Sequence, residues 1–173
     1  IYNHFEQLDL CLGSGDDHFT IESTFTGQTT LETRNGADTV EIVSTDGITH
    51  VNTGRATDTV NIRGINAQTT VNAGNHDDVI NVSSGAFGLG STVNDINALL
   101  TLSGDGGSDR LNVDDRGDTA ANTGHLTATT LTGLGMSEGI IYNHFEQLDL
   151  CLGSGDDHFT IESTFTGETT LET

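Results

Sequence analysis

Six times in 173 residues the chain writes Asp-x-apolar-x-apolar: Asp17-His-Phe-Thr-Ile21, Asp38-Thr-Val-Glu-Ile42, Asp58-Thr-Val-Asn-Ile62, Asp78-Val-Ile-Asn-Val82, Asp109-Arg-Leu-Asn-Val113 and Asp157-His-Phe-Thr-Ile161. From Asp17 to Asp78 the motif returns at steps of about 20 residues, a period in the range of repeat architectures. Longer steps lead from Asp78 to Asp109 and from Asp109 to Asp157. Seven residues before most of these aspartates stands another apolar side chain: Leu10, Leu31, Val51, Val71, Leu102 and Leu150. Each unit therefore reads as strand, turn, strand, with apolar residues alternating with Thr, Asn or Glu so that one face meets a core and the other water. A two-stranded unit of about 20 residues cannot bury its apolar face alone and has to stack on copies of itself. The expected fold is all-β, a parallel β-solenoid with strands ~4.8 Å apart. The Asp-x-apolar-x-apolar strands would lie in one sheet and the Leu31, Val51 and Val71 strands in the other. Antiparallel sandwiches also use short strands and frequent turns, but the same residue at the same place of each turn favours a coil.

A longer period encloses the short one. Residues 1–33 match residues 141–173 at every position except Gln28, which becomes Glu168. This reading gives one unit, residues 1–140, of roughly six coils, and the start of a near-identical one at 141–173. It points to tandem duplication within a longer polypeptide, with arbitrary ends here and any export signal outside this window. Two stretches break the rhythm, residues 83–98 and 113–147. The first lengthens one coil by about half a turn. In the second, HLTATTLTG reads as a strand and SEGIIYNHFEQ as a loop or poorly matched coil. Departures of this kind are where a solenoid carries protrusions or lateral contacts.

Composition narrows the partners. There is no Pro, Trp or Lys; five Arg face 26 acidic residues, giving a net charge of -21. That excess argues against nucleic acid or an anionic membrane surface as partner, and no apolar run is long enough to cross a bilayer. Abundant Thr, Val and Ile favour extended backbone, while Gly, Asn and Asp supply turns. Cys11 and Cys151 are one position in successive copies, so no disulfide framework is present. In Leu10-Cys11-Leu12 the alternation turns the thiol outward if the leucines face inward.

The turn GSGDDHF carries Gly13, Gly15, Asp17 and Phe19, and again Gly153, Gly155, Asp157 and Phe159. It resembles the hemolysin-type, or RTX, calcium-binding repeat. The resemblance implies a parallel β-roll with calcium held by turn carboxylates and carbonyls between coils, on the hard oxygen ligands that this cation takes. In that family the motif returns about every nine residues; here it comes once per coil, and the turns at 34–38, 55–58 and 75–78 lack one or both glycines. The candidate ligands are Asp16, Asp17, Asp38, Asp58, Asp77, Asp78, Asp105, Asp109, Asp156 and Asp157. Stacked carboxylates repel unless a cation, turn N–H groups or protonation relieves them. The second of these is an Asx-type turn in which each Asp serves its own backbone.

Other signals are weaker. Arg116-Gly117-Asp118 spells an integrin-type tripeptide, a coincidence expected in a chain rich in Gly and Asp. The seven His have no metal spacing, and His4 and His18 return as His144 and His158 with the repeat. Asn81-Val82-Ser83 is a lone glycosylation sequon. The text of residues 102–136 followed by IIYNHFEQLDLCLGSGDDHFTI resembles repeats of very large bacterial extracellular proteins with hemolysin-type regions, which implies an extracellular or cell-surface location.

No catalytic site assembles, since a lyase acting on acidic sugars needs a basic group and the Arg are dispersed. Near-verbatim duplication adds length rather than catalysis. The expectation is a structural segment of an extracellular fibre or surface stalk, self-associating along its axis and stabilised by calcium. A calcium-dependent adhesin for carbohydrate is the second reading, and a polysaccharide-active enzyme the third.

Overall fold

The structure, a computed structural model, describes residues 5–173, so His4 lies outside the described residues. Five regular coils come first, each with two strands: β1 (Gln7–Cys11) and β2 (His18–Ile21), β3 (Gln28–Glu32) and β4 (Thr39–Ile42), β5 (Thr49–Arg55) and β6 (Thr59–Ile62), β7 (Thr69–Asn75) and β8 (Val79–Val82), β9 (Leu100–Ser103) and β10 (Arg110–Asp114). The odd-numbered strands pair in parallel in a first sheet and the even-numbered ones in a second. This is the all-β parallel solenoid that the period predicts, with the two strand classes in separate sheets.

In-register pairing turns the sequence alternation into columns. In the first sheet Leu10, Leu31, Val51, Val71, Leu102 and Tyr142 lie one above another. In the second, Ile21, Ile42, Ile62, Val82, Val113, Leu150 and Leu171 do the same. From Leu31 to Tyr142 and from Ile21 to Leu150 these side chains are buried and form the continuous core. Burial of a branched aliphatic side chain contributes about 1.5–3 kcal/mol, which offsets the cost of ordering many short strands. Outward-facing amides stack as well: Asn112 donates to Asn81 at 2.7 Å, Asn81 to Asn61 at 2.8 Å and Asn72 to Asn52 at 3.1 Å. Asn81, the sequon residue, is thus half-buried in β8 with its amide paired on both sides.

One backbone position shows how close the coils approach. Gly74 has φ 104° and sits over Gly54, where a Cβ would come within 2.2 Å of the Gly54 carbonyl oxygen. Only glycine fits such a left-handed, closely stacked turn.

After β10 the regular winding stops, and here the structure corrects the sequence reading. HLTATTLTG is not one strand. Its residues form a hairpin, β11 (Thr123–Leu126) and β12 (Thr130–Gly133), paired antiparallel. No Gly or Asn marks its turn, which is closed by the Thr127 hydroxyl accepting from the Thr130 N–H at 3.0 Å and by the Thr127 N–H donating to the Thr130 carbonyl at 2.9 Å. Of the two readings of SEGIIYNHFEQ, a loop or a poorly matched coil, the structure gives the coil: β13 (Ile140–Asn143) pairs in parallel with β9. Tyr142 completes the first-sheet column, its hydroxyl donating to the Thr127 carbonyl at 2.6 Å and its ring meeting Phe165 edge-on at 6.2 Å. Burial pushes its phenol up to about 12.

The second copy then opens on the other side. β14 (Gln147–Cys151) repeats the letters of β1 but pairs with β10 in the second sheet. β15 (His158–Ile161), the counterpart of β2, joins the first sheet beside β11, and β16 (Glu168–Glu172) joins β14. The final orders are β1-β3-β5-β7-β9-β13-β12-β11-β15 and β16-β14-β10-β8-β6-β4-β2. The cause is parity. From β1 to β14 the chain makes five full coils plus the half-coil β13, while the β11–β12 and β12–β13 connections stay within the first sheet. The unit therefore winds five and a half coils, and identical sequence changes sheet from one copy to the next.

Candidate functional site

The aspartates of the repeating motif stand immediately before the second-sheet strands, and the structure brings five of them into one column. The backbone N–H of Asp17 donates to Oδ1 of Asp38 at 2.8 Å, that of Asp38 to Asp58 at 2.8 Å, that of Asp58 to Asp78 at 2.7 Å and that of Asp78 to Asp109 at 2.8 Å. The Asp109 N–H ends the series on Oε2 of Glu146 at 2.7 Å. The carboxylates of Asp38, Asp58, Asp78 and Asp109 thus each cap the turn of the preceding coil. This is turn capping, with the refinement that the partner is the neighbouring coil and not the residue's own backbone.

The other oxygen of each group behaves differently. Oδ2 of Asp17, Asp38, Asp58, Asp78 and Asp109 is buried and makes no hydrogen bond among the described residues. Burial, the largest influence, raises Asp58 and pushes Asp78 up to about 7 and Asp109 to about 6. Neighbouring carboxylates add to it: Asp58, Asp109 and Asp77 around Asp78, and Glu146, Asp77 and Asp105 around Asp109. The backbone N–H bonds act in the opposite direction and are outweighed.

The remaining candidates lie apart from the column. Oδ1 of Asp16 accepts from the Ala37 N–H and Oδ1 of Asp77 from the Ser108 N–H, at 2.8 and 2.9 Å. Asp105 takes the Ser103 hydroxyl at 2.5 Å and lies 3.6 Å from Nδ1 of His144. Asp157 is at the opposite corner, because its copy has exchanged sheets, and its Oδ1 accepts from the Asn122 N–H at 2.9 Å. Asp156 precedes it in that same turn. Calcium takes six to eight oxygens, whereas no group of three or more His, Cys, Asp or Glu side chains is placed to hold a metal ion among the described residues. The donor set fits a capping ladder, in which the carboxylates accept backbone N–H groups of neighbouring coils.

Sequence reasoning missed a second acidic cluster. The two irregular stretches are clasped together: the Gly88 N–H donates to Oδ2 of Asp114 at 2.7 Å, the Val93 N–H to Oδ1 of Asp115 at 3.2 Å, and the Asn94 amide to Oδ2 of Asp118 at 3.0 Å. Asp114, Asp115 and Asp118 are all buried. Burial pushes Asp115 up to about 7, helped by Asp118, Asp157 and Asp114. Burial also pushes on Asp114, yet the Arg116 guanidinium at 2.9 Å and the N–H groups of Gly88 and Arg116 hold it below the ordinary carboxylate value. Within the Arg116-Gly117-Asp118 tripeptide the first two residues are exposed, while the Asp118 carboxylate is buried and taken up by Asn94, Asn122 and the Ala120 N–H. The available signal was the density of Asp and Asn in both irregular stretches.

The clasp lays Phe87 and Arg116 over the outer face of β14, with the guanidinium carbon 5.4 Å from the ring centre. They line a groove with Asp149, Cys151, Thr170 and Glu172. This separates two chemically identical thiols. Cys11 is exposed, as the alternation predicts, but Cys151 is only 3% exposed, and burial pushes its thiol up to about 11. A thiol-reactive dye is expected to label Cys11 at least tenfold faster than Cys151, read by mass spectrometry of the labelled peptides. Equal rates would rule out the clasp over β14.

Comparison with protein-family models finds no match, and no curated protein or solved structure matches the chain.

Proposed function

We propose that this chain is a structural repeat segment of an extracellular fibre or long surface stalk, lengthened by coil-on-coil stacking of successive units. One observation carries the reading. The text of residues 1–33 occurs twice, and each copy lacks the neighbour that the other has. In the first copy β4 covers β2, and Ile21 is 5% exposed; in the second no strand among the described residues covers the outer edge of β15, and its counterpart Ile161 is 48% exposed. Conversely, Leu148, Leu150 and Leu152 are buried on the coil beneath, while Leu8, Leu10 and Leu12 at the other end are half-exposed. The same text thus buries its apolar side chains wherever a neighbouring coil of this chain lies against it, which supports stacking as the means of extension.

The net charge of -21 keeps such a cable soluble and disfavours sideways aggregation between like-charged filaments. Solution scattering on chains of one, two and three added units tests the reading. Each added unit is expected to lengthen the longest dimension by ~30 Å, the strand spacing multiplied over about six and a half levels, at constant cross-section. Dimensions that grow in all directions would reject it.

The groove beside Phe87 supports an adhesin as the second reading, because an aromatic ring flanked by an Arg and carboxylates suits a sugar ring. Retention on a glycan array that disappears when Phe87 is replaced by Ala would favour it. Calcium belongs to the proposal through the unpartnered Oδ2 row alone. Melts in calcium and in excess chelator that superimpose would remove it.

A further inference from the structure

We infer that successive units are related by a half-turn about the long axis, so that the true period of the solenoid is two units rather than one. The docking surface for each new unit is the uncovered edge of β15 and β16, and its occupant is the text of residues 34–62 from the next stretch of the same repeat, entering with the two sheets exchanged. This rests on the cable reading above and adds its symmetry.

The first ground is the parity of the coil count. Between β1 and β14 the chain completes an odd number of half-coils, which sends QLDLC from the first sheet to the second. The pairing that follows is unchanged in its new place. Gln7, Leu8, Asp9, Leu10 and Cys11 face Gln28, Thr29, Thr30, Leu31 and Glu32, and the residues of β14 face those of β16 in the same register. Because the register is fixed by the sequence and the sequence repeats, a third copy has to exchange sheets again.

A second ground is the occupant itself. The first copy shows what lies on this edge, since β4 pairs with β2 through Thr39–Ile42 and β5 pairs with β3 through residues 49–52. In the second copy the equivalent edges of β15 and β16 carry no strand among the described residues, and Ile161 is open there. The aspartate column repeats the argument. Asp157 stands at the corner opposite the column from Asp17 to Asp109, and its Oδ1 already caps Asn122, as the first members of a new ladder would.

The third ground is mechanical. The thirteen strands from β1 to β13 place eight in the first sheet and five in the second. If that excess fell on one side in every unit, three strands, ~14 Å, would accumulate per ~31 Å of mean rise, and the axis would curl. With the sheets exchanged, the next unit adds five and eight, and the two lengths match after every second unit. The half-turn is what lets a unit with a one-sided hairpin build a straight rod. It also sets the Phe87 and Leu89 protrusion, where Leu89 is 80% exposed, on opposite sides of the filament in alternate units.

Electron cryomicroscopy of the chain continued through three further units beyond Thr173 tests this. The expected images are straight rods with an axial period of ~62 Å and protrusions every ~31 Å on alternating sides, from the strand spacing. A true period of ~31 Å with all protrusions on one side, or a curved rod, would overturn the half-turn and leave the cable intact. Separate beads joined by flexible chain would overturn both.

Discussion

The melting temperature is expected to fall by roughly 5–10 °C between pH 5 and pH 8, because the fold takes up protons that the unfolded chain releases. Unfolded Asp titrates near ~3.9, whereas burial sets Asp78 at about 7, Asp109 at about 6 and Asp115 at about 7, and raises Asp58. A folded value above the unfolded one means a contribution that is full below pH ~4 and lost as the pH rises through 6 to 7. For Asp78 alone, a folded value of about 7 against ~3.9 in the unfolded chain corresponds to roughly 4 kcal/mol. The ladder groups titrate together, so the separate figures do not add, and ~3 kcal/mol across the window is the expectation. Asp114 and Asp118, whose values are lowered, lose their contribution only in stronger acid and lie outside this range.

Asp78→Asn isolates the ladder from the general relief of acidic repulsion. Its amide oxygen still accepts the Asp58 N–H, so the cap survives while the charge is gone. The variant is expected to melt higher than the parent at pH 8 and to show a flatter pH dependence. Circular dichroism in the β-sheet band from pH 5 to 8 reads both. A parent that melts higher at pH 8 than at pH 5, or a variant with the same slope, would refute the protonated ladder.

The second large effect contrasts two identical residues. Ile21→Ala removes a side chain enclosed by its neighbours and is expected to cost about 2–4 kcal/mol. Ile161→Ala, at the same place in the repeat but half exposed, is expected to cost less than about 1 kcal/mol. Urea unfolding of the two variants measures the difference. In a chain continued past Thr173, the cost of Ile161→Ala should rise to the Ile21 value. Equal costs in the present chain would mean that the uncovered edge contributes as much as the interior, and stacking would lose its energetic basis.

The legible parts of this fold were those with a short, regular period. An Asp once per coil, with apolar residues two and four places later, dictated the two sheets, the columns of Leu, Val and Ile, and the ladder from Asp17 to Asp109. The hairpin was not legible, because the Thr-rich run between Leu126 and Leu131 favours extended backbone throughout and the turn is closed by Thr hydroxyls rather than by Gly or Asn. Nor was the acidic clasp, where Asp114, Asp115 and Asp118 gain their partners from Gly88, Val93 and Asn94 on the coil before.

By itself the sequence determined that the chain coils, which faces are apolar, where the carboxylates stack and that the opening text returns at Ile141, because these follow from local alternation and spacing. Only the tertiary structure decided on which side each copy lies. That depends on how many times the chain crosses between sheets, and one hairpin with a single half-coil makes the number odd. The same physics separates Cys11 from Cys151 and Ile21 from Ile161. Identical residues meet different surroundings because burial is a property of the neighbouring coil.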